Sequence, residues 1–89
     1  MDNLGYVYIL QSQINKSYYI GSAKDIENRF TEHQIGKVPY TRNLRPLELK
    51  FYQKYDTIKE AKQIEYKLKR LKSRKIIDQI IRDKEIRIK

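Results

Sequence analysis

Tyr6-Val7-Tyr8-Ile9-Leu10, followed by Asn15-Lys16-Ser17 and then Tyr18-Tyr19-Ile20-Gly21, is the stretch on which the fold turns. Both flanks are rich in β-branched and aromatic residues, and the middle three are turn formers. The run therefore predicts two antiparallel strands joined by a medium-length loop. Alternation along the pleat puts Tyr6 and Tyr8 on one face of the first strand, and Tyr19 and Gly21 on one face of the second. Gly21 lacks a side chain and so opens space beside Tyr19 for a backbone or a ligand. Paired strand tyrosines commonly serve packing, and on their own they assign no chemistry.

Beyond the hairpin, Asp25 reads as an N-cap, Ile26 and Phe30 lie four residues apart, and Gly36 is a natural helix stop. Residues 37–46 hold two prolines and no periodicity, which predicts a loop. Leu47, Leu49 and Phe51 alternate with Glu48 and Lys50, giving a third strand. Thr57 and Glu60 form a capping box that opens a helix carrying Ile58, Ala61, Ile64, Leu68 and Leu71. Ser73 caps a last helix with Ile76, Ile77, Ile80 and Ile81, and residues 85–89 carry no assignment. The order is β-β-α-β-α-α, an α+β layer with a small sheet under helices. No repeat or linker divides the 89 residues, so a single domain over 1–89 is expected, with its core at about 5–82.

Lys and Arg total 20 against 11 Asp and Glu, a net charge of +9. Such a field favours polyanions, and the excess is densest around Lys67, Lys69, Arg70, Lys72, Arg74 and Lys75. The bland alternative is a set of solvated lysine-rich helix faces. With no cysteine, a disulfide framework and a cysteine-ligated zinc site are excluded, and a reducing, cytoplasmic setting is expected. One histidine excludes a multi-histidine metal centre, and three scattered glycines exclude a glycine-rich phosphate loop. No membrane association is expected. The chain has no run of about 18 apolar residues, and its C-terminal helix has no aromatic insertion face.

Two helices carry residues that break their local pattern. At about 100° per residue, Glu65 projects between Ile58 and Ala61, inside the apolar arc of its helix. A carboxylate there is costly unless it is paired, with Lys62, Lys69 or Arg29 as partners, or binds a metal. Mg²⁺ often takes only one or two protein carboxylates. Arg29 and His33 stack four residues apart beside the Ile26/Phe30 stripe. They read either as an amphipathic flank, with Arg29 snorkelling and His33 half-buried, or as a guanidinium phosphate clamp beside the only imidazole.

Taken together, Tyr6-Val7-Tyr8 and Tyr19-Ile20-Gly21, then Ser22 to Ile26, Arg29, His33, Tyr40-Thr41-Arg42, Arg45-Pro46 and a helix with Glu60-Ala61 and Glu65, resemble the GIY-YIG nuclease family in its stand-alone bacterial branch. The resemblance spans about residues 6–75. It implies a three-stranded antiparallel sheet with helices around it. It also implies an active site of Tyr8, Tyr19, Arg29 and Glu65, with Glu65 the metal ligand and His33 at a position that is histidine in some branches. Tyr6 and Val7 depart from the glycine and isoleucine of the first signature. Ser22 stands where the excinuclease C branch carries a lysine, although Lys24 is close by.

The expected activity is Mg²⁺-dependent endonucleolytic hydrolysis of DNA or RNA, with Mn²⁺ a substitute, and DNA repair as the setting. Weak sequence preference and structured or single-stranded substrates are anticipated, with Lys24, Tyr40, Arg42, Arg45, Lys69, Lys72 and Arg74 on the nucleic acid. The general base stays open among Tyr8, Tyr19 and His33. One glutamate implies one metal and one strand cut at a time, so a monomer is expected, or a dimer if both strands are cleaved. The alternatives are a non-catalytic nucleic-acid-binding module of the same fold and a protein–protein adaptor.

Overall fold

In the computed structural model, which describes residues 4–87, the hairpin forms around a central strand β1 (Gly5–Ser12). It pairs antiparallel with β2 (Tyr18–Ala23) on one side and with β3 (Leu47–Tyr55) on the other, in the order β2-β1-β3. Met1 to Asn3 and, in the unassigned tail 85–89, Ile88 and Lys89 lie outside the described residues. β1 runs two residues past the apolar stretch because Ser12 closes the turn with its side chain. Its hydroxyl accepts from the amides of Ile14 and Asn15 and donates to the carbonyl of Leu44 at 2.7 Å. Hydrophobic patterning cannot register a strand end held by a serine.

Three helices complete the α+β architecture. Helix α1 (Ile26–Gln34) starts where the Asp25 carboxylate accepts from the Asn28 amide, and Gly36 supports the exit with φ 85°. Helix α2 (Ile58–Leu71) is capped by Thr57, whose hydroxyl accepts from the Glu60 amide at 3.0 Å. Helix α3 (Arg74–Asp83) is capped by Ser73 in the same way. Loop 37–46 contains a short 3-10 turn, Arg42–Leu44, ahead of a cis Arg45–Pro46 bond. Leu71, read as a core position, is exposed because α2 ends beside it in a left-handed residue, Lys72.

Both faces of the sheet are covered. The odd positions of β1, Val7 and Ile9, pack with Phe51, Ala61, Ile64, Leu68, Ile77 and Ile80 under α2 and α3. The even positions, Tyr8 and Leu10, pack with Leu47 and with Ile26 and Phe30 of α1. Simple alternation would place Leu47, Leu49 and Phe51 on one face. Instead a bulge shifts the register between Ile9 and Leu10, leaving Lys50 as the extra residue. Leu47 and Leu49 therefore serve the α1 layer and Phe51 the α2 layer. Among the described residues no helix is long and apolar enough to cross a membrane.

Candidate active site

The α1 layer buries polar groups where the other layer buries hydrocarbon. Tyr8 is 1% exposed and His33 fully buried, with the Tyr8 hydroxyl 2.9 Å from His33 Nε2 and His33 Nδ1 2.8 Å from Thr41 Oγ1. The sequence permits this because Gly21 faces Tyr8 across the β1–β2 ladder. A Cβ on Gly21 would lie 2.4 Å from the Tyr8 hydroxyl oxygen. The space at Gly21 thus belongs to Tyr8, not to the neighbourhood of Tyr19.

Electrostatics fix the protonation states. Burial, followed by the nearby Arg29 cation, pushes the His33 pKa down to about 4, so the imidazole is neutral at pH 7. Burial raises the Tyr8 phenol to about 12, against a hydrogen bond from Arg29 that favours the ionised form. The Arg29 cation lies close enough to the Tyr8 oxygen to favour its charge, and the phenolic proton faces the neutral His33 Nε2. In that arrangement Nδ1–H donates to Thr41. Arg29 is itself steadied by Glu32 at 2.9 Å and keeps part of its guanidinium in solvent.

Tyr19 joins this cluster from β2. Its ring centroid lies 6.3 Å from that of Tyr8, 5.1 Å from that of His33 and 5.5 Å from that of Tyr40. Glu65 lies on the α2 face of the sheet, against β2. Its Oε1 accepts from Ser22 Oγ at 2.6 Å and its Oε2 pairs with Lys69 Nζ at 2.6 Å. Lys69 bridges the layers, its ammonium also sitting 5.6 Å over the Tyr19 ring. Glu65 is close enough for its charge to add to the rise in the Tyr8 pKa. A cleft of about 370 Å³ opens there, lined by Tyr18, Tyr19, Ile20, Tyr40 and Lys69.

Tyr8, Tyr19, Arg29 and His33 form one contact cluster, and Glu65 reaches its rim. The ion-pair reading of Glu65 holds with Lys69 as the partner. His33 is buried outright, not half-buried at an amphipathic flank. Of the residues expected on nucleic acid, Tyr40 and Lys69 line the cleft, and Arg74 stacks 4.5 Å over the adjoining Tyr18 ring. Arg42 and Arg45 donate instead to backbone carbonyls of Gly36 and Arg42, tying the loop together. Lys24 and Lys72 are exposed at the two ends of their connections, before α1 and after α2. Sequence reading gave no role to Thr41 and Glu32 and saw Ser22 only as a departure. Their parts depend on contacts across the fold, which no local pattern reports.

Among the described residues no three His, Cys, Asp or Glu side chains cluster as a metal cage. The donor set is one carboxylate, 19% exposed and paired with Lys69, which lines the cleft. That chemistry suits a hard cation that keeps most of its waters, and it does not suit a soft metal needing nitrogen or sulfur ligands.

Comparison with known proteins agrees with this fold. The family model described as the GIY-YIG catalytic domain, a nuclease-type domain, matches residues 4–77. A UPF0213 protein of Oceanobacillus iheyensis is 39% identical over 72 residues, covering 80% of this chain and 83% of the relative. A UPF0213 protein of Bacillus velezensis is 37% identical over 83 residues, covering 92% and 82%. A third, from Cupriavidus necator, is 37% identical over 73 residues, covering 81% and 78%. No solved structure matches the chain significantly. With the family model matching residues 4–77 and with bacterial relatives of similar length, the chain, which brings Tyr8, Tyr19, Arg29 and Glu65 into one neighbourhood, belongs to the GIY-YIG family.

Proposed function

We propose that the protein is a Mg²⁺-dependent endonuclease that hydrolyses phosphodiester bonds of DNA or RNA with weak sequence preference. The observation that carries this reading is the convergence of Tyr8, Tyr19, Arg29 and His33 in one cluster, with Glu65 close by and the cleft opening beside Tyr19. Structural tyrosines and a lone ion pair have no need of a common neighbourhood. The +9 charge supplies sequence-independent attraction to a polyanion.

Glu65 would hold the Mg²⁺, whose contribution is Lewis-acid polarisation of the scissile phosphate. The protein's own groups do the rest. Tyr19, at the cleft wall, orients the attacking water. Arg29 moves from the Tyr8 hydroxyl to the phosphoryl oxygens and stabilises the charge that develops there. With its oxygen released, Tyr8 takes the water's proton as it passes its own to the neutral His33, so no free phenolate accumulates. The water oxygen bonds to phosphorus, the opposite P–O bond breaks, and the leaving oxygen takes a proton from solvent at the open cleft. His33, held low at about 4, is a weak base, and the cationic clamp offsets that cost.

Purified protein incubated with single-stranded, flapped and duplex DNA and RNA in Mg²⁺ and in Mn²⁺, beside Glu65→Ala, tests the reading. Cleavage is expected from the wild type and not from the variant. If nothing is cut, the nuclease reading fails. If Glu65→Ala cuts equally well, Glu65 leaves the site. One observation favours a second reading, a non-catalytic nucleic-acid-binding module. The Lys69 ammonium sits on the carboxylate that would hold the metal, and binding without cleavage in the same panel would establish that reading.

A further inference from the structure

The outer face of α2 has no part in the chemistry above. The helix buries Ala61, Ile64 and Leu68. At 100° per residue, the positions met on going round from Glu65 toward solvent are the half-buried Ile58 and then Lys69, Lys62, Tyr66, Lys59 and Arg70. A stripe of cations with one aromatic ring thus begins at the cleft rim. Tyr66 is 63% exposed, and the Arg70 guanidinium lies 5.7 Å from its ring centroid. Beside it runs a groove of about 780 Å³, twice the size of the cleft, lined by Ile58, Lys59, Lys62, Gln63, Tyr66 and Lys67. Among the described residues neither Lys59 nor Lys62 makes an ion pair.

We propose that this face of α2 binds a single strand of nucleic acid continuous with the strand in the cleft, Tyr66 stacking an unpaired base and Lys59, Lys62 and Arg70 contacting phosphates. The charge fits one class of partner, because the stripe outward from Lys69 carries cations and no carboxylate. The ring narrows the class further. An exposed tyrosine face can stack only on a base that is out of its duplex, and such stacking is tolerant of sequence. A guanidinium packed beside the ring adds its own attraction for a stacked base. The location makes the face an extension of the site, since Lys69 belongs to both. The inference deepens the nuclease reading by naming an unpaired strand as substrate, and it rests on that reading only for which strand is cut.

Binding is measured without metal, so that nothing is cleaved, using a labelled single-stranded oligonucleotide and a duplex of the same sequence. Tyr66→Ala is expected to weaken the single strand about fivefold or more, with Tyr66→Phe close to wild type and duplex binding unchanged. Lys59→Ala and Lys62→Ala should each lower the salt slope of single-strand binding by about 0.7. Amide shifts on titration should map to the outer face of α2 as well as to the cleft. Unfolding midpoints equal to wild type confirm that each variant is folded. Unchanged single-strand affinity in Tyr66→Ala overturns the proposal, as does an equal loss on the duplex. An acidic polypeptide competing as well as the oligonucleotide also overturns it, making the face a protein-docking surface. Oligonucleotide binding through α2 by a protein that cuts nothing would leave this inference standing while the nuclease reading fails.

Discussion

Tyr8 and Ile9 are neighbours in one strand, equally buried, and they serve opposite ends. Ile9 enters a layer made of hydrocarbon, with Val7, Ile64, Leu68 and Ile77. Tyr8 enters a layer in which an imidazole, a hydroxyl and a guanidinium are satisfied one by another. The first layer gains stability with area removed from water. The second spends burial on polar groups that contribute little net stability once paired and are expensive when unpaired. Small chains have little core to spare. One face of this sheet therefore carries the fold, and the other can hold a site.

Two substitutions try to break that division. Ile9→Ala should cost about 3–4 kcal/mol of unfolding free energy in urea, because Ile9 has no exposed surface to soften the cavity. The fraction that remains folded should cleave at the wild-type rate. A loss under about 1 kcal/mol would mean that the α2 layer is not the source of stability. Arg29→Ala should do the reverse. Cleavage should fall about 10²–10³-fold while stability changes by about 1 kcal/mol, since part of the side chain is already in solvent. Normal turnover in that variant would remove the clamp from the mechanism.

The same contrast explains what could be read before the structure. The apolar layer was legible because burial of hydrocarbon leaves a period in the sequence. Ile58, Ala61, Ile64 and Leu68 announce α2, and Thr57 and Ser73 announce their helices by capping chemistry. Glu65 was legible as an interruption of that period. The bulge at Lys50 was not, because it sets which face Phe51 meets without changing the residues' order. Thr41 and Ser22 were equally silent. Each gains its role from a partner 8 or 43 positions away in sequence, and a small hydroxyl residue fits any loop or strand.

A proton can also separate the layers. His33 titrates at about 4 in the fold and near 6.5 when unfolded, so the unfolded chain takes up its proton first as pH falls. The stability contributed by the neutral imidazole is present above about pH 6.5 and is lost progressively toward pH 4, about 3 kcal/mol in all. Carboxylate titration elsewhere is removed by comparison with His33→Gln, which should lose less stability over the same window. Parallel pH profiles for the two proteins would show that His33 is not held neutral by its buried place in the α1 layer.

The smallest effect sharpens the comparison most, because Ser22 sits on the wrong side of it. By register it lies opposite Val7, on the face that packs under α2, yet its hydroxyl donates to Glu65 Oε1 at 2.6 Å. If Ser22 belongs to the site, Ser22→Ala should lower cleavage about tenfold at limiting metal, by leaving the carboxylate free to turn. Stability should change by no more than about 1 kcal/mol, the net worth of one partly exposed hydrogen bond. If Ser22 belongs to the packing of its own face, the alanine should be tolerated or slightly stabilising and cleavage should be unaffected. Cleavage and urea midpoints measured on one preparation decide between the two. The edge of β2 is where the layers meet, and a carboxylate carried by the stable layer can be aimed at the reactive one only if something such as Ser22 holds it there.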